Sequence, residues 1–445
     1  MTQTRLIPLL VLLLVGCQPP TTVEPARDGG TGQEEPTSPP TFTVHVPEIV
    51  TATFQQYRNI DVLLGDGSRF RKRLDNSGVV RFHDPAIEGP QDVSLVMVRT
   101  TGQVEVKTYL ALNGPEVRLP NSLYLIGALP STTQGTITGK VTGASNPRAL
   151  SVTAAGNGLY GRTTLSEDGS FSIDIRGEAP GKVDLLAKEI HGTDGTILRV
   201  GLKRDIAVSA GTTLSGQDVA LDHPMDQSLG VTVAGGELPD THLNASLRYI
   251  LGGQVLFSTS GSGTQPLSLP MVARTAPFDT FPPMLVVTSG EAVKFPGGQV
   301  QTDMPVGASS DAQVTFLNQL SITAPAVGPL EAPASASRSG LVLRWTPDAS
   351  AHLTEVELVA MTSPLPLYGW TVVAPTSITS FTPFTLPTDI APVTTFPAGS
   401  YRVWATTTWR ANATSGYTSF FTGSLPYDPY EETRTTRLLA CVELQ

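Results

Sequence analysis

Glycine and proline recur so closely along this chain, at 42 and 37 of 445 residues, that no convincing amphipathic helix longer than two turns can be drawn in it. Alternation fills the intervals. Val44 and Val46 alternate with Thr43 and His45, and Ile60, Val62 and Leu64 lead into Gly65-Asp66-Gly67. Val80 and Phe82, then Val93, Leu95 and Met97, keep the same period of two. Side chains that return at every second position line one face of a half-buried strand. The expected fold class is therefore all-β, as tandem β-sandwich domains, and the length suits three or four of them.

The first residues are of another kind. Arg5 supplies a positive charge, Leu6–Val15 is an apolar run, and Leu14-Val15-Gly16-Cys17 closes it. The run is too short to cross a hydrocarbon layer of ~30 Å as a helix. A charged start, a short apolar centre and a cleavage motif read as a secretory signal. These residues resemble the signal of bacterial lipoproteins. The resemblance implies that residues 1–16 are removed and that Cys17 is acylated and becomes the new N-terminus. Two or more acyl chains hold a protein on a membrane stably, so the expected partner is a membrane and the expected place the bacterial cell envelope. Aspartate after the acylated cysteine retains some such proteins at the inner membrane. Gln18 stands there instead and favours the outer membrane.

Residues 17–41 form the lipidated cysteine and a linker. From Gln18 the segment is rich in Pro, Thr, Gly and Glu, with almost no large apolar side chain before Phe42. Such a segment buries too little surface to order itself, and its prolines make it a spacer reaching roughly 70 Å at about 3.1 Å per residue. With Cys17 committed to lipid, Cys441 is alone, and a monomer has no disulfide. Its apolar setting, Leu438-Leu439-Ala440-Cys441-Val442, suits a buried inert thiol, the alternative being a reactive or intermolecular one. The formal net charge of −10 becomes one unit more negative when Arg5 leaves with the signal, which disfavours nucleic acid as a partner.

Four folded units follow, at 42–129, 130–222, 223–323 and 324–445. In the second, Gly135-Thr-Ile-Thr-Gly-Lys-Val141 precedes Asp168-Gly-Ser-Phe171 and Pro180-Gly-Lys-Val183. This pattern resembles a carboxypeptidase regulatory-like domain over about 90 residues, which implies a transthyretin-like β-sandwich and a non-catalytic appendage. The first unit resembles a weaker copy, with Asp75-Asn-Ser-Gly78-Val-Val-Arg-Phe82 in place of the Asp-Gly-Ser-Phe turn. The third alternates at Val231 and Val233 and at Leu247, Tyr249 and Leu251 and is expected to be another sandwich. Pro325–Pro333 reads as a linker. The fourth is similar to fibronectin type III, with Trp345 early and Tyr401-Arg-Val-Trp-Ala405 late. It departs from that family by a long Pro/Thr-rich stretch at 363–397.

The chemistry-bearing residues are sparse. His45, His83, His191, His223, His242 and His352 have no metal-ligand partner at i+2 or i+4, and no catalytic motif is present. No cofactor is expected. The Asp-Gly pairs at Asp66, Asp168 and Asp194 lack the spacing of a calcium loop and read as hairpin turns. Arg69, Arg71 and Arg73 would share one face of a strand, either as a row for lipid phosphates or acidic glycans or as a solvated face. All four tryptophans lie in the fourth unit. Trp345 has a core position. Trp370 in an expected loop, Trp404 beside Arg402 on the outward parity, and Trp409 form a candidate binding surface for sugar rings or protein partners, unless a neighbouring domain covers them. The resulting expectation is a lipid-anchored, non-catalytic envelope protein with a structural, scaffolding or adhesive role. The tandem sandwiches would form a stalk, with the C-terminal unit farthest from the lipid. The alternatives are a carbohydrate-binding accessory lipoprotein, a subunit of a secretion or motility assembly, and, least favoured, a hydrolase whose site assembles from distant residues.

Overall fold

A computed structural model describes residues 41–46, 57–119, 132–146, 150–156, 158–192, 194–236, 238–291, 297–361, 368–422, 428 and 430–445. The signal, Cys17 and the spacer up to residue 40 lie outside the described residues.

The chain is all-β, built as successive sandwiches. The first unit holds β1 (Phe42–His45), β2 (Tyr57–Leu64), β3 (Phe70–Arg73), β4 (Val79–Phe82), β5 (Gln91–Arg99), β6 (Val104–Leu112) and β7 (Glu116–Arg118). They pair in the orders β4-β1-β7 and β3-β2-β5-β6. The second holds β8 (Thr133–Thr142), β9 (Leu150–Gly156), β10 (Leu159–Thr164), β11 (Ser170–Gly177), β12 (Gly181–Ile190), β13 (Ile197–Val208), β14 (Thr212–Leu214), β15 (Val219–Ala220) and β16 (His223–Pro224). Here β14-β8-β11 continues into β10-β9-β12-β13-β16, the turn-over being a two-residue contact of Leu159 and Tyr160 with Gly177 and Arg176. The third holds β17 (Gln227–Gly235), β18 (Leu243–Leu251), β19 (Gln254–Gly263), β20 (Leu267–Met271), β21 (Met284–Gly290), β22 (Gly297–Pro305) and β23 (Asp311–Thr315), in the orders β20-β17-β23 and β19-β18-β21-β22.

One arrangement thus occurs three times. The first strand of each unit lies between its fourth, antiparallel, and its seventh, parallel. The second lies between the third and the fifth, and the sixth flanks the fifth. The third-to-fourth-strand turns of the first two units are also alike. Asp75 Oδ1 accepts from Ser77 N at 2.8 Å and Asp168 Oδ1 from Ser170 N at 3.0 Å. Gly78 and Gly169 take φ of 71° and 81°, a region that glycine enters without steric cost.

The fourth unit holds β24 (Ser321–Ala324), β25 (Ala334–Ala336), β26 (Leu343–Thr346), β27 (Leu353–Ala360), β28 (Tyr368–Pro375), β29 (Ser380–Phe381), β30 (Gly399–Arg410) and β31 (Thr433–Leu444). Its sheets are β24-β26-β29 and β28-β27-β30-β31, with β25 parallel to β31. The unit starts before the expected linker. Segment 325–333 runs inside it, where Gly328 and Cys441 exchange two backbone hydrogen bonds of 2.9 Å.

The units do not follow one another as a stalk, which corrects the sequence reading. Strand β31 pairs antiparallel with β22 of the third unit, from Gly297 opposite Leu439 to Asp303 opposite Thr433. Strand β28 pairs parallel with β6 of the first, from Tyr368 opposite Val104 to Val373 opposite Tyr109. The last unit is wedged between the third and the first, and the three share one 13-stranded sheet. Edge pairing of this kind satisfies backbone groups that an open edge leaves to water.

Burial follows from the junction. The second sheet of the first unit, β4-β1-β7, closes a core around Phe42, Val44, Leu95 and Tyr109. The opposite face of its large sheet presents Val96, Val98, Val104 and Val106 to the core of the fourth unit, with Trp345, Trp370 and Tyr401. Leu386, Ile390, Ala391 and Phe396 complete that core, so segment 386–396 of the Pro/Thr-rich stretch acts as its cover. Both faces of β5 are consequently buried. The second and third units join likewise, Ala155, Leu186 and Val200 packing with Tyr249, Phe257 and Phe278.

Candidate functional site

Strand β30 explains the surface that the fused sheet leaves open. Tyr401, Val403, Ala405 and Thr407 point into the core and are buried, so Arg402, Trp404, Thr406 and Thr408 point outward. The register carries this outward face sideways. Trp404 lies opposite Glu357 of β27 and Leu439 of β31, and Thr406 opposite Glu355 and Arg437. Arg437 then meets Gln299, and Thr435 meets Gln301. Gln301 lies opposite Thr288, Thr288 opposite Asn244, and Asn244 opposite Ser262. The face runs from β27 to β19 over seven strands, about 30 Å at about 4.8 Å per strand.

Its chemistry is amide, hydroxyl and paired charge around one half-buried indole, with Leu439 and Cys441 buried beside it. Trp404 Nε1 donates to Thr406 Oγ1 at 3.0 Å, and the Arg402 guanidinium lies 5.9 Å from its ring centre. Burial and the neighbouring Glu355 carboxylate push the Glu357 carboxyl up, against Arg402 and Lys107. Burial also raises Asp303, against its hydrogen bond from Gln301 and the charges of Arg248 and Arg437. A flat ring with a guanidinium beside it can stack on a sugar or an aromatic side chain, while the amides and hydroxyls exchange hydrogen bonds.

The four residues expected to form one surface do not assemble, and only Arg402 and Trp404 meet. Trp370 is in strand β28 and not a loop. It is 0% exposed, and its Nε1 donates to Thr108 Oγ1 of the first unit at 3.0 Å. It is a junction residue, withdrawn by the unit that packs on it. Trp409 has the opposite parity to Trp404, at the far end of β30, with the Arg434 guanidinium 4.6 Å over its ring and the His352 ring 5.8 Å away. Trp345 is buried as expected.

The arginine row lies at β3, one end strand of the fused sheet. Each member has a carboxylate: Arg69 with Asp84 at 3.6 Å, Arg71 with Asp389 at 2.7 Å, and Arg73 with Asp61 at 3.4 Å. Arg71 thereby ties the first unit to the segment that covers it, and a charged, paired row fits the solvated reading.

Asp66, Asp168 and Asp194 close hairpins by accepting from the backbone N–H two residues on, at 2.9, 3.0 and 2.9 Å, and the hydroxyls of Ser68 and Ser170 foremost, with these backbone bonds (foremost for Asp194), hold their carboxyls below the usual range. His45, His191 and His223 each lie beside a carboxylate, of Glu116, Asp194 and Asp222. Among the described residues no group of three or more metal-binding side chains occurs, and no helix is long and apolar enough to cross a membrane. Cys441 is 1% exposed, its Sγ 3.6 Å from Met361 Sδ, and burial pushes its thiol up.

No protein-family model matches the chain, and no curated protein matches it in sequence.

Proposed function

We propose that this chain is a lipid-anchored bacterial envelope protein whose task is to hold out a binding face, without catalysis. One observation carries the binding role. Three units share a sheet whose outer face, across the third and fourth of them, sets amides and hydroxyls beside the half-buried Trp404 and Arg402. A rigid display of this kind suits a scaffold or adhesin, since binding then orders little of the protein. The anchor rests on the leader ending at Cys17 and on the polar spacer after it.

Repetition of one strand order supports reading the first two units as copies of one carboxypeptidase regulatory-like sandwich, and the third, expected only as a sandwich, shares that order. The fourth supports a fibronectin type III-like reading. The hydroxyl of Tyr401, near the start of its penultimate strand, donates to Pro397 O at 2.9 Å, the corner such sandwiches use.

Two experiments test the proposal. Cys17→Ala releases the protein from the membrane fraction, and unchanged fractionation ends the anchor. Crosslinking in intact cells followed by mass spectrometry places contacts on β27, β30 or β31, and contacts confined to the second unit end the binding face. A glycan ligand is the second reading, favoured by an indole set among Gln299, Gln301 and Thr406. Affinity electrophoresis against envelope polysaccharides separates it from a protein partner.

A further inference from the structure

The three equivalent third strands end their sheets differently. In the second unit, β10 is six residues long and is joined to β11 through Leu159 and Tyr160. In the first, β3 is four residues long and carries Arg71, Lys72 and Arg73, and short, charged strands are how proteins keep edges from pairing. In the third, β19 is ten residues long, contains no charged residue and no proline, and pairs with β18 alone. Leu256 and Phe257 pack into the core shared with the second unit. Beyond them Ser258, Ser260 and Ser262 are exposed, and Val255, on the same strand, is 48% exposed.

The sixth strands show what the molecule does with such edges. Strands β6, β13 and β22 are each covered by another strand: β28, β16 and β31. Two of these covers come from the fourth unit, so pairing edge to edge is already the assembly device of this fold.

From this contrast we propose that the open half of β19, Ser258–Gly263, receives the same strand of a second copy of this chain, antiparallel across a two-fold axis. Uncharged, small hydroxyl side chains favour a copy of the strand as the occupant. An isologous antiparallel pair sets residue i against j and j against i, so like side chains meet only near the axis, between Ser260 and Gly261; like charges there would repel, and serine and glycine do not. The pairing would join the two open polar faces into one, with a Trp404 toward either end.

The test uses the full chain carrying Cys17→Ala, so it is independent of the anchor and of any ligand. Sedimentation velocity over a wide concentration range shows a monomer–dimer equilibrium, and Ser258→Lys with Ser260→Lys weakens it by about tenfold or more with the melting temperature unchanged. Ser260→Cys, beside the axis of that pairing, gives a disulfide-linked dimer on mild oxidation, whereas Ser172→Cys, exposed on β11, does not. The cysteine variants decide the matter if the lysine variant misfolds. A monomer at every concentration, a dimer indifferent to the lysines, or equal crosslinking through Ser172→Cys overturns the proposal.

Discussion

Trp370 and Thr108 are separated by 262 positions and joined by one buried hydrogen bond of 3.0 Å across the junction of the last unit with the first. Thr108 Oγ1 also lies 2.8 Å from Ser94 Oγ. Two hydroxyls on strands of the first unit thus meet an indole from the fourth, inside a parallel strand pairing. Trp370→Ala is expected to cost about 3–5 kcal/mol, because the cavity opens in a core two units share. Urea denaturation followed by circular dichroism checks it. A cost near that of an ordinary surface change would mean that the junction is not closed in solution.

Trp404→Ala has the opposite signature. The side chain lies on the outer face, so stability should change by no more than about 0.5 kcal/mol, while any ligand of that face is lost. Thermal melts paired with a binding assay separate the two effects, and a large drop in melting temperature would place Trp404 in a core.

Tyr401→Phe removes a single hydroxyl that donates to Pro397 O. The expected loss is about 0.5–1.5 kcal/mol, the net worth of one such bond. Equilibrium unfolding of wild type and variant in parallel measures it.

Glu189 supplies a pH dependence. It is 0% exposed, its Oε1 accepts from Ser145 N and Asn146 N at 2.9 Å, and its Oε2 lies 3.3 Å from Arg199 Nε. Burial alone would raise the carboxyl. The bonds from Ser145 and Asn146, with Arg199, outweigh it and hold the group below its usual range. A folded-state pKa below the unfolded one, about 4.3, means stabilisation that is complete above that value. It is lost as pH falls through the folded pKa. The stability gap between wild type and Glu189→Gln should therefore be widest near neutrality and shrink below about pH 4. A gap that is flat in pH would show that the carboxylate contributes no charge-dependent stability.

Strand positions were open to a reader of the residues, and strand neighbours were not. Tyr401, Val403 and Ala405 fall on the buried face because alternation encodes it. The Asp-Gly-Ser-Phe turn at Asp168 and its variant at Asp75 mark equivalent hairpins, since an aspartate acceptor and a glycine at positive φ are local needs. The third unit has the same strand order but turns from β19 to β20 through Gly263-Thr-Gln-Pro266, so no turn motif announces it. The proline-rich flanks of Trp370 suggest a loop, whereas it lies within β28. Val96 and Val98, between the alternating Leu95 and Met97, were the available sign of a sheet covered on both faces. Nothing local records that β22 meets β31, because backbone pairing is blind to side-chain identity. For the same reason Gln299, Gln301 and Asp303 could not be connected to Trp404 beforehand.

The parallel pairing of β28 with β6 also sets an order of events for a chain made from its N-terminus. Until the final third has emerged, Val96, Val98, Val104 and Val106 face water as a greasy patch with no cover. A long wait before distant segments meet slows folding and invites aggregation, and this valine patch is where a half-made chain is most exposed to it.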